Sequence, residues 1–105
     1  MTQTIIVADD HPLFRAALKQ AVNQAVPDVE TVEVDSIKSL QAAVESHPDA
    51  DLILLDLNMP GAHGFSGLVF MRGQYPGLPV VVVSGSEDLQ AMRRSIDYGA
   101  SGFIP

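Results

Sequence analysis

The stretch Leu52-Ile53-Leu54-Leu55-Asp56-Leu57-Asn58-Met59-Pro60-Gly61 constrains this chain more than any other. Four consecutive apolar residues followed by an acid read as a strand buried on both faces. Pro60 cannot donate to a β-ladder and Gly61 permits a turn, so the strand stops there. A carboxylate where such a strand runs out is costly unless it meets solvent, a cation or hydrogen-bond donors. Open α/β sheets hold their ligands in a crevice beyond the carboxyl ends of their strands, and Asp56 is placed at that crevice.

The rest of the chain repeats the theme. Residues 4–8 are a short β-branched run ending in Asp9-Asp10, and residues 80–83 are four valines ending in Ser84. Pro12 suits the first turn of a helix, along which Phe14, Leu18, Ala21, Val22 and Ala25 recur at helical spacing until Pro27. Residues 29–34 alternate apolar and polar, as expected of a strand near an edge. Ser36 can cap a second helix with Ile37, Leu40 and Val44 on its apolar face. A third helix is expected from about Phe65 to Gln74, packed through Phe65, Leu68, Val69 and Arg72. Ser86 can cap a fourth through Leu89, Met92 and Ile96, which Gly99 terminates. Gly102-Phe103-Ile104-Pro105 begins a fifth strand. Strands alternating with helices across short connections specify one doubly wound α/β domain, a parallel sheet with right-handed crossovers and helices on both faces.

Composition narrows the function. At 105 residues the chain is one domain able to bury a core. Thirteen acids against six bases, a formal charge of −7, would repel a phosphate backbone, so cations or basic proteins suit it better than nucleic acid. There is no cysteine for a disulfide or a thiolate metal site. The apolar runs are too short to cross a bilayer and the first residues lack a basic n-region and an h-region, so a cytoplasmic protein without a membrane span is expected.

In a parallel sheet the strand ends of one polarity share an edge. Asp9, Asp10, Asp56, Ser84 and the residue after Ile104 should converge there. Three carboxylates this close repel one another and titrate as a coupled group. A divalent cation relieves that repulsion, and carboxylates with a backbone carbonyl and waters suit Mg2+. The cluster would also poise one carboxylate as a nucleophile toward a phosphoryl group, with Ser84 donating to a phosphoryl oxygen. Each residue also has a plainer reading. Asp9-Asp10 alone suits a helix N-cap, Ser84 a turn and Phe103 core packing. His11 reads as the exposed start of a helix and His63 as a solvated loop residue, while His47 carries no functional signal.

The segments Val7-Ala8-Asp9-Asp10-His11-Pro12-Leu13-Phe14-Arg15, Leu55-Asp56-Leu57-Asn58-Met59-Pro60-Gly61, Val83-Ser84-Gly85 and Gly99-Ala100-Ser101-Gly102-Phe103-Ile104 resemble, in order and spacing, the receiver domain of bacterial two-component response regulators. The resemblance spans essentially the whole chain. It implies a flavodoxin-like five-stranded sheet of order 2-1-3-4-5, with Asp56 accepting phosphoryl from a sensor histidine kinase. It further implies Mg2+ held by Asp10, Asp56 and the Asn58 carbonyl, with Asp9 acting directly or through water. Ser84 matches the switch hydroxyl and Phe103 the switch aromatic. The first segment looks most like the subfamily whose receivers precede a helix-turn-helix DNA-binding output domain, which makes transcriptional regulation the expected role.

The family carries a lysine just after the fifth strand and a fifth helix beyond. By spacing, that lysine would follow Pro105, so residues 1–105 are expected to be a receiver domain truncated before it. Impaired phosphotransfer would follow, as would an uncovered sheet face beside the first helix that favours self-association or domain swapping. Three other readings compete: a pseudo-receiver that binds proteins without phosphorylation, a flavodoxin-like mononucleotide binder whose phosphate Asp9-Asp10 would repel, and a metal-dependent hydrolase, for which no general base is evident.

Overall fold

The computed structural model describes residues 2–61, 64–84 and 89–104. Along the chain lie β1 (Gln3–Ala8), α1 (Pro12–Ala25), β2 (Val29–Val34), α2 (Ile37–Ser46), β3 (Leu52–Asp56), α3 (Ser66–Gln74), β4 (Val80–Val83), α4 (Leu89–Asp97) and β5 (Gly102–Ile104). All strand pairs are parallel and the order is β2-β1-β3-β4-β5, the expected flavodoxin-like sheet. The strand order turns back on itself at β1, so the crevice between the carboxyl ends of β1 and β3 is the topological switch point.

The period-2 alternation of a strand divides the apolar runs between two faces. Ile6, Ala8, Ile53, Leu55, Val80 and Val82 meet Leu40, Ala43 and Val44 of α2 and Leu68 and Met71 of α3 in the larger core. Ile5, Val7, Leu54 and Val83 point the other way, toward Val22 and Leu18 of α1. That second cluster is smaller, and among the described residues α1 supplies all of its helical members.

Local chemistry sets the helix boundaries. Pro12 opens α1, and Ser36 and Ser39 cap α2 reciprocally, each hydroxyl accepting the other's backbone N–H at 3.0 Å. Gly61 stands at φ +87°, where a side chain would be strained, and a Cβ there would stand 3.4 Å from the Ile37 Cβ. This close turn lets the Ile37 N–H donate to Pro60 O at 3.2 Å, tying the segment after β3 to the start of α2.

Packing departs from the sequence expectation in three helices. In α1 only Val22 is buried, while Phe14, Ala21 and Ala25 are exposed, because among the described residues the apolar cluster on this face takes only Val22 and Leu18 from the helix. In α3 the packed positions are Leu68 and Met71, whereas Val69 faces solvent. Arg72 spans the end of that helix instead, its Nη1 donating to Pro76 O and Leu78 O. In α4 the expected apolar face of Leu89, Met92 and Ile96 is exposed, and the buried residue is Ser95. The capping role expected of Ser86 and the loop role of His63 fall outside the described residues.

Candidate functional site

Both strands that flank the switch point end with the same device. At the end of β1, Asp9 Oδ1 accepts the His11 N–H at 2.7 Å; at the end of β3, Asp56 Oδ1 accepts the Asn58 N–H at 3.1 Å. An aspartate that bonds to the amide two residues on turns the chain without help from its neighbours. Each acid is thereby held by one oxygen, leaving its Oδ2 for other partners. Asp9 is fully buried, and its carbonyl accepts from Arg15 Nη1 at 2.9 Å, while the Arg15 Nε meets Glu33 Oε1 at 3.3 Å. These bonds lock the end of β1 to α1 and β2.

Asp9, Asp10, His11 and Asp56 each offer one ligand atom, and these atoms lie within 4.8 Å of one another. His11 Nδ1 stands 3.3 Å from Asp9 Oδ1, 3.1 Å from Asp10 Oδ1 and 3.9 Å from Asp56 Oδ2. Asp9 Oδ2 and Asp10 Oδ1 are buried without a hydrogen bond, although His11 Nδ1 approaches Asp10 Oδ1 to 3.1 Å. A buried carboxylate oxygen without a donor is destabilising, and a divalent cation supplies the missing partner. The three carboxylates by themselves fit a hard cation, and the cluster could bind a metal.

Burial pushes the Asp56 carboxyl above its ordinary range, and the Asp9 and Asp10 charges push the same way. The Asn58 N–H and the nearby His11 act against that rise. Beside the acids opens a cleft of about 450 Å³, bounded on its apolar side by Leu13, Phe14 and Val83. A second cleft of about 400 Å³ lies at the amino ends of the strands, against Val44, Tyr75 and Leu78, and gathers no cluster of ligating groups among the described residues.

The other sites named from sequence fall around this pocket. Asn58 is an exposed turn residue on the cleft wall. Ser84 follows β4 on the same edge, its N–H donating to Ile104 O at 2.8 Å, so β5 positions it. Phe103 is half-buried against the larger core, consistent with packing. The plain N-cap reading of Asp9-Asp10 does not hold: the N-cap of α1 is His11, with no side-chain cap bond. His11 is the member of the cluster that sequence reasoning set aside. Its signal was present in its place between an acid two residues before and a proline after, which fixes its backbone.

Comparison with known proteins agrees with this geometry. The model of the response regulator receiver domain matches residues 5–105. The chain is 47% identical over 100 residues to the glycerol metabolism activator of Pseudomonas putida, covering 95% of this chain and 45% of that protein. It is 36% identical over 101 residues to the nitrate/nitrite response regulator protein NarL of Escherichia coli K12, covering 96% and 46%. The chain thus spans about half the length of the curated relatives it matches. Among solved structures, the signal receiver domain of the putative response regulator NarL from Mycobacterium tuberculosis superposes with a TM-score of 0.84 at 28% identity, over 98% of this chain and 82% of that one. A LuxR family DNA-binding response regulator from Silicibacter pomeroyi gives a TM-score of 0.82 at 29% identity, over 98% and 78%. A parallel sheet in this order, acids at the ends of β1 and β3 and a family match along nearly the full length lead to one conclusion: the chain belongs to the response regulator receiver domain family.

Proposed function

We propose that Asp56 accepts a phosphoryl group from a sensor histidine kinase. The observation that carries this reading is the pairing of a strand-end Asp56, one oxygen free of Asn58, with the donorless Asp9 Oδ2 beside it. Asp10, Asp56 and the Asn58 carbonyl would hold Mg2+, with Asp9 acting directly or through water. When bound, the cation supplies positive charge that neutralises the acids and the transferring phosphoryl oxygens. Asp56 Oδ2 attacks phosphorus, the bond from phosphorus to the histidine nitrogen breaks, and an acyl phosphate forms. Ser84 then follows the phosphoryl group as the switch hydroxyl, and Phe103 responds as the switch aromatic.

The domain acts as a signalling module rather than a turnover enzyme, catalysing only its own phosphorylation and dephosphorylation. Its readout is transcriptional, through a DNA-binding output domain of the kind for which the LuxR family DNA-binding response regulator from Silicibacter pomeroyi is named. A cytoplasmic location agrees with this role, and no helix among the described residues is long and apolar enough to cross a membrane. The interaction surface lies on α4 and β5, where Leu89, Met92, Ile96 and Ile104 are exposed and also favour self-association.

Intact-protein mass after incubation with Mg2+ and acetyl phosphate tests the reading. One phosphoryl adduct is expected, absent in Asp56→Asn. An adduct that persists in Asp56→Asn, or none on a Mg2+-bound receiver extended through the family's lysine and fifth helix, overturns Asp56 as acceptor.

A further inference from the structure

His11 carries an inference that rests on the acid pocket being the cation site. The imidazole reaches the pocket at little entropic cost, because its backbone is fixed twice. Pro12 confines it to extended conformations, observed at φ −95° and ψ 106°, and its N–H is held by Asp9 Oδ1 at 2.7 Å. Nδ1 then lies 3.1, 3.3 and 3.9 Å from oxygens of Asp10, Asp9 and Asp56, although the side chain is 70% exposed. Independently, the Asp9 side chain is only 1% exposed with no donor to its Oδ2, and Asp10 Oδ1, the atom that Nδ1 approaches to 3.1 Å, is buried without a hydrogen bond as well, so the cluster holds oxygens that call for a ligand.

A pocket of carboxylates alone suits Mg2+, whereas an imidazole nitrogen favours borderline ions of the first transition row. We propose that His11 is a further protein donor, making the acid pocket a mixed oxygen–nitrogen site that takes a borderline divalent transition cation through Nδ1. The competing role is a charge partner that merely neutralises the acids. The two roles act in opposite directions. A charge partner repels every divalent cation, so removing it strengthens Mg2+ and Co2+ alike. A donor lost weakens the transition ion and leaves Mg2+ where it was.

Calorimetric titration of the whole chain with Mg2+ and with Co2+ separates them, with Co2+ also read by its visible absorption, which changes when nitrogen enters the ligand shell. Losing even an indirect support of a metal ligand typically costs tenfold or more in affinity. His11→Ala is therefore expected to weaken Co2+ by at least about tenfold, to shift its absorption, and to leave Mg2+ within about twofold. Asp10→Asn is expected to weaken both ions. If Asp10→Asn weakens both but His11→Ala moves them equally, strengthens them or moves neither, the donor role is overturned and the acid pocket stands. If Asp10→Asn moves neither ion, the pocket itself is the wrong site and the inference falls with it.

Discussion

Helices α2 and α4 look alike in sequence and behave oppositely in the fold. Both carry an apolar stripe at helical spacing, Ile37, Leu40 and Val44 in one and Leu89, Met92 and Ile96 in the other. In α2 the stripe lies on the sheet, with Leu40 fully buried. In α4 it faces outward, with Leu89 63% and Ile96 49% exposed, and the helix docks along its Ala91 and Ser95 side instead. There the Ser95 hydroxyl donates to Ala91 O at 2.8 Å, satisfying within the helix a polar group that burial would otherwise penalise. The pair teaches that an amphipathic stripe reports a helix and leaves its partner undefined. In α2 the partner is the chain's own core, whereas in α4 the stripe remains open to another surface.

Core truncation should separate the two helices most. Leu40→Ala is expected to cost about 2–5 kcal/mol in urea unfolding, because it deletes fully buried methyl groups and leaves a cavity. A loss below about 1 kcal/mol would mean that α2 does not carry the core. Next comes the cap: Ser36→Ala removes the hydroxyl that accepts the Ser39 N–H, one half of the reciprocal pair, and should cost about 1 kcal/mol, where α4 offers no comparable target among the described residues.

A smaller effect of opposite sign is expected in the acid pocket. The folded chain holds the Asp56 proton to higher pH than the unfolded chain does. Stability in chelator should therefore fall as pH rises from the ordinary carboxylate range through the raised value. Asp56→Asn should melt higher than the parent at neutral pH and converge with it in acid; equal melting at both would remove the burial argument. The smallest change in stability belongs to α4. Replacing Met92 and Ile96 together with serine should alter it by no more than about 0.5 kcal/mol per site while reducing self-association in sedimentation. A loss comparable to that of Leu40→Ala would show the α4 stripe to be buried in solution.

Much of the pocket was legible because strand ends announce themselves. Asp9, Asp56 and Ser84 each follow an apolar run, and parallel pairing must then bring them to one edge. His11 was less legible, since an exposed histidine at a helix start has no periodicity to mark it. Its role depends on where Nδ1 falls, which is set by the turn at Asp9 and by the approach of β3 to β1.

What the sequence by itself determined was local and one-dimensional: the period-2 and helical-period patterns, the stops at Pro60 and Gly61, the cap at Ser36, and the order in which acids terminate strands. These follow from backbone sterics and hydrogen-bonding groups acting over a few residues. Only the tertiary structure decided which stripe met the sheet, that Met71 rather than Val69 packs, and that Asp9 Oδ2 is left without a donor. Those outcomes depend on which surfaces compete for the same buried area and on distances between segments far apart in the chain.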